Sequence, residues 1–206
     1  MPPAVQNPAQ QIILASASAT RATLLRNAGL QFDIEIPRID EAAIRAGLLA
    51  EAATPRDIVD VLAETKARRI AFRHPAALVI GCDQILVHQG QILTKPGSPA
   101  DAVGQLAALA GQTHTLLSAV VLYDQAEPVW RHIGQADMTM RPMTRDALQT
   151  YVDRNWDSIR DAVGCYQIEA EGAWLFSRID GDYFSILGLP LIDLLSCLVL
   201  RGTLPT

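Results

Sequence analysis

Residues 78–87 are LVIGCDQILV, an apolar run interrupted by one carboxylate, Asp83, and one amide, Gln84. Apolar runs of this length are typical of a strand that is covered on both faces of a sheet. An ionised carboxylate in such a strand is costly unless it is paired, hydrogen-bonded or bound to a metal. Two interpretations follow: Asp83 is a catalytic or metal-binding acid at a strand end, or the strand ends at Gly81 and Asp83 caps a turn.

The segments on either side of this run predict strands and helices in alternation. Strands are expected over residues 12–15, 32–36, 78–87, 115–122, 129–140 and 174–179. Helices are expected over residues 20–27, 56–72, 99–109, 144–155 and 190–201. A loop carries Asp40 and Glu41, and a hairpin-like return over residues 87–93 can bring Lys95 back towards Asp83. The antiparallel-looking pairs in the middle favour an α/β fold with a mixed sheet over a strictly parallel one.

Composition and charge restrict the class of protein. Half of the 206 residues are hydrophobic and 19% are charged, which predicts a folded chain. The net charge of −5 argues against nucleic acid as a partner, although a small anion needs only a local basic pocket. Three widely spaced cysteines indicate a reducing compartment, and we see neither a signal peptide nor a membrane span. We therefore expect a cytoplasmic protein without a membrane partner.

The strand-turn-helix segment that begins at Leu14 has the features of an anion site. Ser16 and Ser18 supply hydroxyl groups, and the start of the following helix supplies free amides and the positive end of its dipole. Arg21 lies in the first helical turn, where a cation opposes the dipole unless an anion bridges them. The alternative is an ordinary serine N-cap beside a solvated arginine.

A second candidate is Lys66, which shares one face of its predicted helix with Leu62 and Ile70. A lysine in such an apolar stripe either extends its ammonium to solvent or points it into a cleft. Together with Lys66, five other charged residues form a plausible set for phosphate chemistry: Arg21, Glu41, Asp83, Lys95 and Glu169. Carboxylates can hold Mg²⁺ or activate water, while cations neutralise developing charge.

Residues 14–25, LASASATRATLL, resemble the opening signature of the Maf family of nucleotide pyrophosphatases. The resemblance continues in family order over nearly the whole chain, through Asp40-Glu41, Ala63-Glu64-Thr65-Lys66-Ala67, Gly81-Cys82-Asp83-Gln84, Lys95-Pro96, Gly111-Gln112-Thr113-His114, Gly164-Cys165-Tyr166, Gly181-Asp182-Tyr183 and Gly188-Leu189-Pro190-Leu191. Each motif alone is weak, but together they are highly specific.

The resemblance implies an elongated mixed sheet flanked by helices, similar to the inosine-triphosphate pyrophosphatases, with two lobes around a cleft. It implies one domain over residues 11–203 after a flexible N-terminal tail, residues 1–10, and a possible homodimer. The family hydrolyses nucleoside triphosphates to the monophosphate and pyrophosphate with a divalent cation, Mg²⁺ or Mn²⁺. Carried over by motif, the catalytic residues are Asp83, Lys66 and Lys95, the substrate-binding residues are Ser16, Arg21, Gln84 and Glu169, and the metal ligands are Glu41 and Asp83.

The departures from the family signature bear on the substrate. The family's proline and first arginine are replaced by Ala19 and Thr20, and Glu169 stands where members acting on pyrimidines carry glutamine. Together with Asp83-Gln84, these changes resemble the subgroup that acts on 7-methyl-GTP. A carboxylate can accept hydrogen bonds from the N1-H and amine of guanine. The alternatives are a pyrophosphatase acting on dTTP or UTP, a surface role for Glu169, and a non-catalytic nucleotide-binding regulator of cell division.

Overall fold

The computed structural model describes residues 10–205, which form two compact units. The first unit contains the described residues up to Asp83, Ser118–Gly134, and those from Gly188 onward. The second unit contains Gln84–Leu117 and Gln135–Leu187. The single domain expected over residues 11–203 stays a prediction. The expected tail lies outside the described residues except for Gln10, whose Nε2 donates a hydrogen bond to Asp124 Oδ1 at 2.8 Å.

The helices and strands alternate along most of the chain. Within residues 10–205 the strands are β1 (Ile12–Ala15), β2 (Asp33–Ile34), β3 (Leu78–His88), β4 (Gln91–Leu93), β5 (Thr113–Asp124), β6 (Glu127–Met140) and β7 (Phe176–Gly181). The α-helices are α1 (Ala19–Asn27), α2 (Glu41–Ala50), α3 (Pro55–Ala71), α4 (Pro99–Leu109), α5 (Arg145–Ile159), α6 (Tyr183–Ile186) and α7 (Leu191–Leu200). A short 3₁₀ helix covers Glu171–Leu175. None of the described helices is long and apolar enough to cross a bilayer.

The sheet is mixed, as the sequence predicts. Its strand order over the described residues is β2-β1-β3-β5-β6-β7, and β4 pairs with β3 beside this path. Strand β1 runs parallel to both β2 and β3, whereas β4 is antiparallel to β3 and β7 is antiparallel to β6. The fold-class prediction of a mixed α/β sheet flanked by helices is therefore confirmed.

Strand β3 confirms the strand predicted over residues 78–87 and corrects both interpretations of Asp83, which placed it at a strand end or beyond one. It continues to His88, so Asp83 lies in its interior. Backbone hydrogen bonds hold the strand, and they do not depend on whether a side chain is polar. Gln89 and Gly90 then take positive φ values of 49° and 76°, which produces the predicted hairpin return into β4.

Three other segments differ from their predictions. Residues 41–50 form helix α2 where a loop was expected, and no residue of that helix is buried. Strand β2 contains only Asp33 and Ile34 instead of five residues. The strand expected from residue 174 begins at Phe176, because the preceding residues form the 3₁₀ helix.

Helix α3 has a well-capped start and packs closely on strand β3. Thr54 and Asp57 form a reciprocal capping box at its start, and Pro55 occupies the first helical turn. The helix packs tightly on β3 at Gly81, where an added Cβ would lie 2.4 Å from the Ala63 carbonyl oxygen and 2.6 Å from Ala67 Cβ. Glycine is therefore required at this close approach between helix and strand.

Candidate active site

The Lys66 ammonium is the centre of a charged cluster in the first unit. Its Nζ lies 2.5 Å from Asp83 Oδ1 and 2.8 Å from Glu41 Oε1. Lys66 is only 7% exposed and Asp83 only 6%, while the side chain of Glu41 is 48% exposed. The lysine therefore does not extend to solvent, and the cluster joins two buried charges to one acid at the surface.

Lys66 lies on the buried, apolar face of helix α3. Leu62 and Ile70, one helical turn before and after it, are fully buried. The close approach at Gly81 brings this face against β3, two residues before Asp83. An unpaired charge at such a place would be strongly unfavourable, so the ion pair is what makes both side chains tolerable.

Arg21 forms a second cationic centre, again nearly buried at 8% exposure. Its Nε donates to the Gly188 carbonyl oxygen at 2.7 Å, and its Nη1 donates to the Cys82 carbonyl oxygen at 3.2 Å and to Ser16 Oγ at 3.3 Å. All three acceptors are neutral, and Arg21 forms no ion pair with any residue in the range 10–205. A buried guanidinium held by neutral groups is suited to binding an anion.

Strand register explains why these two centres are neighbours. Strands β1 and β3 are parallel, with Ala15 opposite Gly81. Ser16 therefore follows β1 beside Cys82, and the Arg21 guanidinium contacts the carbonyl group directly before Asp83. Ser18 caps α1 by accepting a hydrogen bond from the Arg21 amide. The alternative of a serine N-cap beside a solvated arginine is therefore right for the cap but wrong for Arg21, which is nearly buried.

The thiol of Cys82 is not a candidate nucleophile despite its position next to Asp83. Burial raises the pKa of this thiol from 9.0 to about 11, against the lowering effect of the nearby Arg21 and Lys66 charges. The reactive thiolate is therefore scarce near neutral pH. The carboxylates of this cluster are therefore the groups available for acid–base chemistry or metal binding.

The carboxylates of Glu41 and Asp83 are the two protein ligands that the resemblance implies for a divalent cation. Both contact the same ammonium, so both can approach one cation, and carboxylate oxygen suits Mg²⁺ or Mn²⁺. No group of three acidic, histidine or cysteine side chains able to hold a metal occurs within residues 10–205. The donor set fits an ion that takes its remaining ligands from phosphate oxygens and water.

The other predicted site residues belong to the second unit. Gln84 Nε2 donates to the carbonyl oxygens of Ser185 and Ile186 at 3.2 and 2.9 Å. Lys95 is exposed in the loop between β4 and α4, and Glu169 is exposed on a turn before the 3₁₀ helix. The substrate role of Gln84, the catalytic role of Lys95 and the base-selecting role of Glu169 stay predictions.

Sequence reasoning did not identify the backbone acceptors of Arg21. The carbonyl groups of Cys82 and Gly188 carry no side-chain signal, because every residue has a carbonyl group. The motif Gly188-Leu189-Pro190-Leu191 was noted, but only the folded structure shows that its first carbonyl orients a guanidinium.

Comparison with known proteins finds similarity over nearly the whole chain. The sequence profile of the Maf-like protein family matches residues 11–200. The chain is 55% identical to a nucleoside triphosphate pyrophosphatase of Ruegeria pomeroyi over 195 residues, which is 95% of this chain and 98% of the relative. It is 55% identical over 196 residues to a protein of the same name from Roseobacter denitrificans, with 95% and 98% covered. A 7-methyl-GTP pyrophosphatase of Rhizobium etli is 43% identical over 194 residues, with 94% and 98% covered.

Proposed function

The chain belongs to the Maf family, and we propose that it hydrolyses a nucleoside triphosphate to the monophosphate and pyrophosphate. The observation that carries this proposal is the contact of one buried ammonium with both Asp83 and Glu41. Nucleoside triphosphate pyrophosphatases that are 55% identical over almost their full length also support it.

In the proposed reaction, Asp83 accepts a proton from the water that attacks the α-phosphorus. A new oxygen–phosphorus bond forms, the bond from the α-phosphorus to the bridging oxygen breaks, and pyrophosphate leaves. Arg21 and Lys66 offer positive charge to the phosphate oxygens, and Ser16 offers its hydroxyl group. A Mg²⁺ or Mn²⁺ ion held by Glu41 and Asp83 would neutralise further phosphate charge. We also propose that Lys95, which belongs to the Lys95-Pro96 motif of the family, contributes positive charge to the phosphates.

Pyrophosphate release by the wild type and by Asp83→Asn tests this function. The substitution preserves shape but removes the base, so turnover should fall at least about 100-fold. Lys66 keeps Glu41 as a partner, so the fold should persist. Asp180→Asn, on the exposed strand β7, is the control and should leave turnover unchanged. Near-normal turnover in Asp83→Asn would remove this carboxylate from the mechanism, and binding without turnover in the wild type would favour the non-catalytic regulator.

The base preference is a finer proposal: 7-methyl-GTP over UTP. Its support is Glu169 in its motif, together with the 43% identity to the Rhizobium etli protein named 7-methyl-GTP pyrophosphatase. Methylation at N7 adds positive charge to guanine, which a carboxylate attracts. Glu169→Gln should lower the ratio of specificity constants for 7-methyl-GTP over UTP by roughly 10- to 150-fold.

The control for that substitution is Glu171→Gln, because Glu171 already accepts hydrogen bonds from Arg154 and Asn155. It should leave the ratio of specificity constants unchanged. If Glu169→Gln also leaves the ratio unchanged, Glu169 has only a surface role.

A further inference from the structure

A cavity of about 410 Å³ lies in the first unit beside the loop that precedes α2. One wall is formed by this loop, including Arg38 and Asp40. The other wall is formed by Arg68, Arg69 and Phe72, on the face of α3 that turns away from the buried stripe. The volume is within the range of small-ligand sites, roughly 300–1,000 Å³.

The cavity has an excess of positive charge in an acidic protein. Three arginines and one aspartate line it, although the whole chain has a net charge of −5. Arg38, Arg68 and Arg69 form no ion pair with any residue from 10 to 205, whereas neighbouring Arg73 is paired with Glu35. The Asp40 carboxylate already caps α2, where its Oδ1 accepts a hydrogen bond from the Ala43 amide at 2.9 Å. The three arginines are exposed, so their guanidinium groups are accessible to an anion in the cavity, and phosphate matches their planar geometry.

The aromatic ring of Phe72 in the same wall favours an anion that carries an aromatic group. Phe72 caps the end of α3 with 66% of its surface exposed, and it lines the same cavity as the three arginines. A bare inorganic anion would not use this ring. A nucleobase would, because aromatic side chains stack on the faces of bases.

We propose that this cavity binds a nucleoside phosphate, with its phosphates against Arg68 and Arg69 and its base on Phe72. A ligand in this cavity would also affect the charged cluster around Lys66. Two cavity residues, Asp40 and Thr65, directly precede Glu41 and Lys66 in the chain. Helix α2, which contains Glu41, has no buried residue and packs against α3. A ligand that joins the loop to α3 would hold the start of α2 and so favour the contact between Glu41 and Lys66.

Titration calorimetry with the α,β-methylene analogue of GTP tests the site without turnover. The Arg68→Gln/Arg69→Gln variant should lose one equivalent of bound analogue relative to the wild type. Arg56→Gln, which removes one arginine charge from the exposed start of the same helix, should retain every equivalent. Thermal unfolding of each variant verifies that it is folded. A double variant that is folded and binds as many equivalents as the wild type would overturn the proposal.

Phe72→Ser distinguishes a nucleotide from a bare polyphosphate. It should weaken binding of the analogue at this site by about 5- to 150-fold, the range for loss of one stacked base. It should leave the affinity for inorganic pyrophosphate unchanged. Unchanged affinity for the analogue would show that the ring does not recognise a base and would overturn the nucleoside assignment.

Discussion

At the scale of single residues, the pairing of Lys66 with Asp83 changes how each should respond to substitution. The apolar face of α3 alone suggests that Lys66→Met is tolerated and even stabilising, because methionine suits an apolar face. Because Lys66 is paired with Asp83, we expect the opposite, a loss of stability. Lys66→Met leaves the buried Asp83 carboxylate without its ammonium partner. The side chains of both residues are less than one-tenth exposed, so solvent offers little compensation.

A double-mutant cycle measures this coupling. Lys66→Met should lower the free energy of unfolding by roughly 3–5 kcal/mol at neutral pH, the usual cost of breaking a buried pair. Asp83→Asn in the same background should recover part of that loss, because the uncompensated carboxylate is gone. Denaturant unfolding of the wild type, both single variants and the double variant gives the coupling energy. Additive effects would mean that the 2.5 Å contact contributes nothing to stability.

At the scale of secondary-structure elements, the contact between α3 and β3 sets the position of the ion pair. Gly81 is the residue that permits it, because a Cβ there would lie 2.4 Å from a backbone oxygen of α3. Helix and strand would have to separate to admit a methyl group, and Lys66 moves with the helix.

Gly81→Ala should therefore lower both stability and turnover. Overpacking of a tight contact typically costs roughly 1–3 kcal/mol. The matched control is Gly104→Ala in α4, where an added Cβ meets no atom within 4 Å. That variant should gain up to about 1 kcal/mol, because alanine favours helix, and should keep normal turnover. Equal stability of the two variants, measured by denaturant unfolding, would contradict the close-contact argument.

How far the sequence predicts these elements depends on how much of each element is buried. Helix α3 and strand β3 were predicted closely because apolar residues recur on their buried faces. Helix α2 was missed although Ile44 and Leu48 have the four-residue spacing of one helical face; the segment is short, contains Gly47 and buries no residue in the fold. Asp40, whose side chain caps that helix, was the available signal. In the site, Asp83 and Lys66 were identified from polar residues in apolar surroundings, but their contact depends on Gly81 and on strand register, which spacing along the chain does not give.

At the scale of the whole molecule, a buried histidine links stability to pH. His114 is 1% exposed, and its Nε2 lies 2.7 Å from the Tyr166 hydroxyl oxygen. Its Nδ1 has no partner among the described residues, so a protonated ring would leave a buried N–H unsatisfied. Burial, helped by the nearby charge of His88 and opposed by Asp137, lowers the pKa of His114 from 6.5 to about 4.

The sign of the pH effect follows from these values. Between pH 6.5 and about 4 the unfolded chain binds the proton and the folded chain does not, so the stability contributed above pH 6.5 is lost as the pH falls. The shift corresponds to about 3 kcal/mol. His114→Gln should flatten the dependence of unfolding free energy on pH in this window. A wild-type slope retained in His114→Gln would assign the effect to other groups.

The proposed pyrophosphatase reaction depends on which phosphorus atom of the triphosphate water attacks. Hydrolysis in ¹⁸O-labelled water, with Mg²⁺ and either GTP or 7-methyl-GTP, tests this directly by mass spectrometry of the products. Attack at the α-phosphorus predicts one labelled oxygen in the nucleoside monophosphate and none in the pyrophosphate. Label in the pyrophosphate, release of orthophosphate as the first product, or absence of hydrolysis would contradict the proposed reaction.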